Sequence, residues 1–140
     1  MANVIYNSYK KGQLDGGIDL VNHTIKVMLV TDVYSPDIDA HDFLDDITGE
    51  VVGTGYTAGG KEIENRQTSQ DNANDRGEFS GNNVTWTSSS ITSRYAILYK
   101  STGVAATSPV IGCLDFGGNK TSTFGDFAIA WHADGIINNN

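Results

Sequence analysis

Short runs of alternating apolar and polar residues, separated by glycine-rich turns, dominate the chain. The clearest run is residues 24–30, TIKVMLV, which places Ile25, Val27 and Leu29 on one face of an extended strand. Residues 93–100, SRYAILYK, and 125–132, GDFAIAWH, repeat the two-residue period. Both faces of SRYAILYK are apolar enough for a central strand. These runs predict three strands that pack against a core.

Further strand signals are weaker and lie at 61–68, 76–79, 83–87 and 109–116. The last begins with Pro109, which fits the first position of a strand or an edge strand. The polar stretch 66–83 is predicted to form a long exposed hairpin or loop. The 140 residues include 16 glycines and only two prolines. We therefore predict a mainly β fold, with a single antiparallel β-sandwich or jelly-roll-like domain over residues 1–140.

Two segments have the spacing of short helices instead. In residues 37–49 the apolar positions recur at i, i+3, i+4 and i+7, with aspartates before them and a glycine after them, which predicts an amphipathic helix at 39–47. Near the N-terminus, Ile5 and Tyr9 lie four residues apart between Asn3, a candidate cap, and Gly12. This spacing predicts one or two helical turns there.

The charge balance narrows the partners that we expect. Nine Lys and Arg against 17 Asp and Glu give a net charge of −8. Such a surplus of negative charge opposes binding to a phosphate backbone, so we expect no nucleic-acid partner. No apolar run approaches the roughly 20 residues that cross a bilayer, and the first residues lack a signal-peptide pattern. We expect neither a membrane partner nor a secretion signal.

Residues able to carry chemistry are present, but their spacing matches no known site. The acidic segment 37–46 lacks the glycine and the final glutamate of an EF-hand calcium loop. The three histidines, His23, His41 and His132, lie on separate segments without metal-ligand spacing, and no G-x-S-x-G turn presents a nucleophile. Cys113 lies in an apolar run and is predicted to be buried. We expect no enzyme activity, no cofactor and no metal site.

Residues 55–62, GYTAGGKE, match the beginning of a phosphate-binding loop, G-x-x-x-x-G-K-[ST]. Glu62 stands where that loop needs a hydroxyl for magnesium, and its carboxylate would repel a nucleotide. The segment after Lys61 is polar and predicts a short strand followed by a loop, whereas a phosphate-binding loop leads into a helix. The glycines are therefore interpreted as structural, with Tyr56 holding the turn.

Three aromatic residues form the candidate recognition surface: Tyr34, Tyr56 and Trp86. They fall in or beside predicted loops and could stack on sugars, which is the basis of a glycan-binding hypothesis. Trp86 also alternates with Val84, and such a pair is more often the buried face of a strand. The sequence is compatible with both interpretations.

Several long segments resemble a family of small virion structural proteins of tailed bacteriophages. They are TIKVMLVTDVYSPDIDAHDFLDD, GEVVGTGYTAGG, NNVTWTSSSITSRYAILYKSTG and PVIGCLDFGG. The resemblance covers residues 3 to about 135 and is most specific in GTGYTAGG and ITSRYAILYK. Within that group the chain is most similar to proteins that decorate or cement the capsid.

This resemblance implies a non-enzymatic protein that is assembled in the host bacterial cytoplasm and displayed on the virion. As a decoration protein it would bind the major capsid protein at the head surface and stabilise the capsid lattice. It would also self-associate around a local symmetry axis, for which decoration proteins in general suggest three-fold symmetry. A phage tail or fibre accessory protein is the alternative within the virion class. Outside it the alternative is a carbohydrate-binding module, followed by a hydrolase.

Residues near both ends are the predicted docking residues. Segments 1–14 and 133–140 are interpreted as candidate docking arms because they carry apolar or cationic residues outside the main strand pattern: Ile5, Tyr9, Lys10, Lys11, Ile136 and Ile137. Either a neighbouring chain or the domain itself would order them.

Overall fold

A computed structural model describes residues 3–139, in which one α-helix and ten strands follow each other along the chain. The helix is α1 (Asn7–Asp15), and short 3-10 turns lie at Leu44–Asp46 and Ala105–Thr107. The strands are β1 (Val4–Ile5), β2 (Ile25–Val30), β3 (Lys61–Glu62), β4 (Gln67–Asp71), β5 (Arg76–Ser80), β6 (Val84–Ser89), β7 (Thr92–Lys100), β8 (Val110–Thr121), β9 (Gly125–Ile129) and β10 (Ile137–Asn139).

The strands form three antiparallel sheets. The large sheet has the order β1-β8-β7-β2-β3, the hairpin sheet β10-β5-β4, and the two-stranded sheet β6-β9. One apolar cluster joins all three sheets, since it includes Val27 and Leu98 of the large sheet, Phe79 of the hairpin sheet and Trp86 of the two-stranded sheet. This layering confirms the predicted mainly β, sandwich-like fold.

A second apolar cluster covers the opposite face of the large sheet. It contains Met28, Ile97 and Tyr99 from the strands and Tyr6 and Tyr34 from outside them. Both faces of β2 and β7 are therefore buried, as the two-sided apolar pattern of β7 predicted. The covering layer is the irregular segment 31–50, and no sheet lies there among residues 3–139.

The predicted strands are found, with changes at their ends. The three clearest correspond to β2, β7 and β9. The segment 61–68 is divided between β3 and β4, and the strand predicted at 109–116 continues to Thr121 in β8. The predicted hairpin at 66–83 is confirmed as β4 and β5, which pair from Gln67 and Ser80 to Asp71 and Arg76.

The helix predicted at 39–47 is wrong. The backbone N–H of Leu44 donates to Ser108 O and that of Val110 to Asp42 O, while Phe43 forms an isolated bridge with Pro109. The Leu44 N–H and the Asp42 carbonyl are thus used by residues at the start of β8, so within this segment only the short 3-10 turn at Leu44–Asp46 forms. The apolar spacing misled because Leu44 and Ile47 pack on the second cluster from an irregular chain, whereas Phe43 remains 40% exposed.

The helix predicted near the N-terminus exists but begins later. Residues Val4–Ile5 pair with β8, and α1 follows with Tyr6 as its N-cap. Asn3 is not the cap, since its side-chain oxygen accepts a hydrogen bond from Asp115 N–H at 3.0 Å. Gly16, with φ of +76°, ends the helix in the left-handed conformation that glycine favours. No helix within residues 3–139 has the length and apolarity to span a membrane.

Candidate interaction surfaces

The glycine-rich loop is a structural clamp on the edge of β2. Tyr56 Oη accepts the Leu29 N–H at 3.0 Å and donates to the Glu50 carboxylate at 2.7 Å. That carboxylate also accepts the Gly59 N–H at 2.7 Å, and Tyr99 Oη donates to Gly59 O. The loop therefore pairs polar groups on a strand edge that β3 leaves uncovered.

Gly60 explains why this loop needs glycine. Its φ is +74°, and a Cβ atom there would overlap the carbonyl oxygen of Val27. Lys61 then begins β3, which confirms the predicted strand and loop after it. The loop therefore leads into a strand, whereas a phosphate-binding loop leads into the N-terminus of a helix.

The three candidate recognition aromatics are not a surface. Tyr34 is 2% exposed and Trp86 is 1% exposed, while Tyr56 is half-buried against Trp86 with 5.9 Å between the ring centres. Tyr34 and Trp86 therefore offer no exposed ring face to a glycan, which speaks against sugar stacking on these two residues. The alternative, that Trp86 and Val84 share the buried face of a strand, is confirmed.

Tyr34 belongs to a polar chain inside the second cluster. Its hydroxyl lies 2.6 Å from Tyr6 Oη and 2.7 Å from His41 Nδ1. Tyr6 also contacts the thiol of Cys113, which is buried as predicted, and burial raises the pKa of that thiol to about 12. A thiol with so high a pKa stays protonated at neutral pH and is a poor nucleophile.

The acidic segment stabilises its own turns. The Asp37 carboxylate accepts the N–H groups of Asp39 and Ala40, and the Asp46 carboxylate accepts those of Asp42 and Phe43. These backbone hydrogen bonds lower the pKa of both aspartates. Within the part of the chain described, no three His, Cys, Asp or Glu side chains come together in a way that could hold a metal ion.

The predicted docking arms pack on their own domain over the residues described. Tyr9 is buried in the first cluster, Ile5 packs against it, and Ile137 is buried where β10 pairs with β5. Ile136 is half-buried against the same cluster. These four residues are therefore unavailable as free anchors, which confirms the alternative that the domain orders its own ends. Residues 1, 2 and 140 of the proposed arms lie outside the described residues.

Lys10 and Lys11 remain exposed, and Lys11 borders a cleft beside α1 that we call the helix cleft. Its volume is about 360 Å³. One wall is α1 with the loop after it, and the other is the bridge between Phe43 and Pro109; the lining residues are Ser8, Lys11, Gly12, Asp15, Gly17, Ile18, Asp42, Phe43 and Pro109. The N-terminal segment thus contributes a wall of a cleft instead of an arm.

Close packing holds the two walls in place. Ser8 Oγ donates to Val110 O at 3.2 Å, which attaches α1 to the start of β8. A Cβ atom at Gly12 would lie 2.9 Å from Ile18 Cδ1, so glycine allows the following loop to pack tightly on the helix. One wall of the cleft is therefore attached to β8 by a hydrogen bond, and the other is held at the start of β8 by the bridge between Phe43 and Pro109.

The helix cleft combines exposed apolar groups with charged ones. Phe43 is 40% exposed within it, and Leu14, on the exposed side of α1 one turn after Lys11, is 90% exposed. Lys11 pairs with Asp15 at 2.6 Å, which raises the pKa of the lysine and lowers that of the aspartate. Asp42 adds a second carboxylate. Such a surface can bind a partner that supplies an apolar side chain and a cation.

Sequence reasoning missed Phe43 and Leu14 as surface residues. Phe43 was assigned to the inner face of a helix that does not form. Leu14 precedes DGG, a helix-ending sequence, and this was a signal for a solvent-exposed last turn.

No family model, no curated protein and no solved structure matches the chain. Function is therefore inferred from the chain's own residues.

Proposed function

We propose that this chain is a non-enzymatic structural protein of a tailed bacteriophage, a capsid decoration protein that binds the major capsid protein on the outer surface of the head. The resemblance in GTGYTAGG and ITSRYAILYK supports the virion class. The observation that carries the proposal is the helix cleft, whose lining combines the exposed Phe43 with the carboxylates of Asp15 and Asp42. An exposed apolar side chain beside charged residues is the composition of a surface that binds another protein.

The chemistry of the cleft specifies the partner surface. Apolar anchors that fill pockets contribute most of the binding energy at protein interfaces, while charged residues at the rim favour one partner over others. Phe43 is the apolar anchor in the lining of the cleft, and Asp15 and Asp42 are the charged residues that line it with Phe43. Leu14 lies outside the lining, on the helix that forms one wall. The capsid site is therefore expected to present an apolar side chain next to Lys or Arg.

Decoration of a capsid requires only moderate affinity at each site. A protein that binds the assembled lattice and not its dissociated subunits stabilises the lattice by mass action. Many copies per particle multiply this effect, so one cleft of about 360 Å³ with Phe43 as its apolar anchor needs to bind only moderately.

The test compares three serine variants on particles that carry this chain. Phe43→Ser removes the apolar anchor of the cleft, and Leu14→Ser removes the exposed apolar side chain of α1, the helix that forms one wall. Val52→Ser is a matched control, because Val52 is as exposed as Leu14 and lies neither on α1 nor in the lining of the cleft. Loss of one anchor should cost about 1–2 kcal/mol, or roughly 5- to 30-fold in Kd. Binding is measured as copies per particle on heads exposed to increasing concentrations of each variant.

Two results would count against the proposal. One is equal occupancy for the three variants, which would exclude the helix cleft as the docking site. The other is absence of the chain from purified particles, which would exclude a virion role. A particle reconstruction that places a few copies on the tail, instead of hundreds on the head, would favour the tail accessory alternative.

A further inference from the structure

The sandwich has two open sides where sheet edges face each other, and they differ in chemistry. On one side β3 faces β6 across a groove of about 390 Å³. There Lys61 Nζ donates to Thr85 O at 2.6 Å, so a charged side chain already occupies the strand edge. Charged residues of this kind protect edges from pairing with another chain.

The other open side, which we call the seam, lies between β9 and residues 116–121 of β8. Two adjoining grooves of about 430 and 270 Å³ run along it and share Phe116, Ile129 and Ala130. Within residues 3–139, β8 pairs with β1 at Gly112 and Cys113 on its outer edge, and β9 pairs with β6 on one side. Within the same residues, no strand pairs with the other edge of β9, which faces the seam.

The sheet that ends at the seam is unusually small. It contains only β6 and β9, and two strands are marginally stable by themselves. Phe127 and Ile129 of β9 point into the core, while Asp126 and Ala128 are exposed. The small Ala128 at the middle of the exposed face leaves room for a neighbouring strand.

Each end of β9 carries an aromatic side chain that a neighbour could contact. Phe124 precedes the strand, is 84% exposed, and has φ of +48°, a conformation that bulky residues rarely adopt. Its N–H is held by Ser90 Oγ at 3.0 Å, so the backbone keeps the ring outside the core. Trp131 follows the strand and lines the far end of the seam.

We propose that a second copy of this chain covers the seam, with the two β9 strands paired antiparallel about a two-fold axis at Ala128. This register sets Ala128 against its own copy and Phe127 against Ile129. It also places Phe124 of each copy opposite His132 of the other, next to Trp131 along the chain. The two small sheets become one four-stranded sheet with the order β6-β9-β9-β6.

Charge and area are consistent with a second copy as the occupant. The chain carries a net charge of −8, yet the groove beside β9 holds one cation and one anion, Lys120 and Asp126, neither of which forms an ion pair within residues 3–139. Two copies can therefore meet here without opposing their acidic surfaces. The exposed surface of Phe124 alone is roughly 170 Å². A standard interface buries roughly 800 Å² on each partner, so Phe124 would supply part of that area.

This inference is independent of the proposed binding to a capsid, because the helix cleft and the seam share no residue. It replaces the three-fold axis suggested by analogy with a two-fold one. The purified full chain is the material for the test, and sedimentation equilibrium over micromolar concentrations is the measurement.

Wild type is expected at twice its 15.0 kDa monomer mass. Ala128→Lys places two cations opposite each other at the two-fold axis, so this variant should be a monomer. Thr87→Lys adds the same charge at an exposed position of β6, away from the seam, and should remain a dimer. Circular dichroism verifies that both variants fold.

A disulfide test fixes the register without a large substitution. Ala128→Cys should form a dimer through a disulfide in air, because directly opposed Cβ atoms lie about 4.5–5.5 Å apart. Thr87→Cys should not, and the native Cys113 is buried and does not compete. A monomeric or trimeric wild type, a dimer that Ala128→Lys leaves intact, or equal cross-linking of the two cysteine variants would each overturn the proposal.

Discussion

Replacing Tyr56 with phenylalanine removes one oxygen atom that joins two parts of the molecule. That hydroxyl accepts the N–H of Leu29, the last residue but one of β2, and donates to the Glu50 carboxylate. The ring itself packs beside Trp86 and is kept by phenylalanine, so the change tests the hydroxyl alone.

The expected loss of stability follows from these two contacts. Leu29 is fully buried, so its N–H would be left without an acceptor at a cost of about 1–3 kcal/mol. The hydrogen bond to a carboxylate contributes about 1.5–3 kcal/mol, but Glu50 keeps the Gly59 N–H and is partly exposed to water, so only part of this is lost. We expect a decrease of about 2–4 kcal/mol in the free energy of unfolding.

Chemical denaturation followed by tryptophan fluorescence measures this change, and Trp86 beside the substituted ring reports on it. Tyr9→Phe is the matched control, since Tyr9 is equally a core tyrosine but no partner for its hydroxyl is found within residues 3–139. The control should change stability by less than about 0.5 kcal/mol. If both variants lose the same amount, the clamp on β2 does not stabilise the fold.

Three further substitutions examine other contacts. Gly60→Ala should prevent folding or cost more than about 4 kcal/mol, because its Cβ would overlap Val27 O. Gly103→Ala, at φ of +86° in open space, should cost only about 1 kcal/mol. Similar melting temperatures for the two variants would contradict this expectation. Arg66 donates to the carbonyls of Leu20, Val21, His23 and Ile63, so Arg66→Met should cost about 2–4 kcal/mol in urea titrations, and a loss below about 0.5 kcal/mol would contradict the contacts. The Arg94 guanidinium lowers the pKa of Asp115 to about 2, so their pairing stabilises the fold above about pH 4 and is lost as the pH falls from 4 to 2. The difference in melting temperature between wild type and Asp115→Asn should therefore be large at pH 6 and shrink by pH 2, and a constant difference would exclude this origin.

Strands were predictable here because their signal is local. The alternation in residues 24–30 and 93–100 depends only on which side chains face a core, and both segments became central strands of the large sheet. The segment 39–47 failed for the opposite reason. Its apolar spacing is compatible with a helix, but its amides pair with the beginning of β8, more than 60 residues away in the chain. No local pattern encodes such a partner.

The surfaces were less predictable than the strands. The sequence around an aromatic residue beside a loop, such as Tyr34, is compatible with an exposed or a buried ring. Only the contacts of its hydroxyl with Tyr6 Oη and His41 Nδ1 show that Tyr34 belongs in the core. Phe124 lies between serine, threonine and glycine residues, so nothing in its neighbourhood indicates that its backbone is held at positive φ. That feature depends on Ser90, whose side chain reaches Phe124 N–H from the connection between β6 and β7.

The positions of the two proposed surfaces imply how dimerisation would affect attachment. A dimer formed through the seam would carry two helix clefts, since α1 and Phe43 take no part in pairing β9. Binding of the first cleft to a lattice would then raise the effective concentration of the second, provided that neighbouring lattice sites match the spacing between the clefts. Ala128→Lys should therefore weaken occupancy on particles with an intact cleft, whereas Leu14→Ser should weaken it with an intact dimer. Both variants would lose binding to particles, one through loss of the dimer and the other through a weaker docking surface. The mass measured by sedimentation would distinguish the two causes.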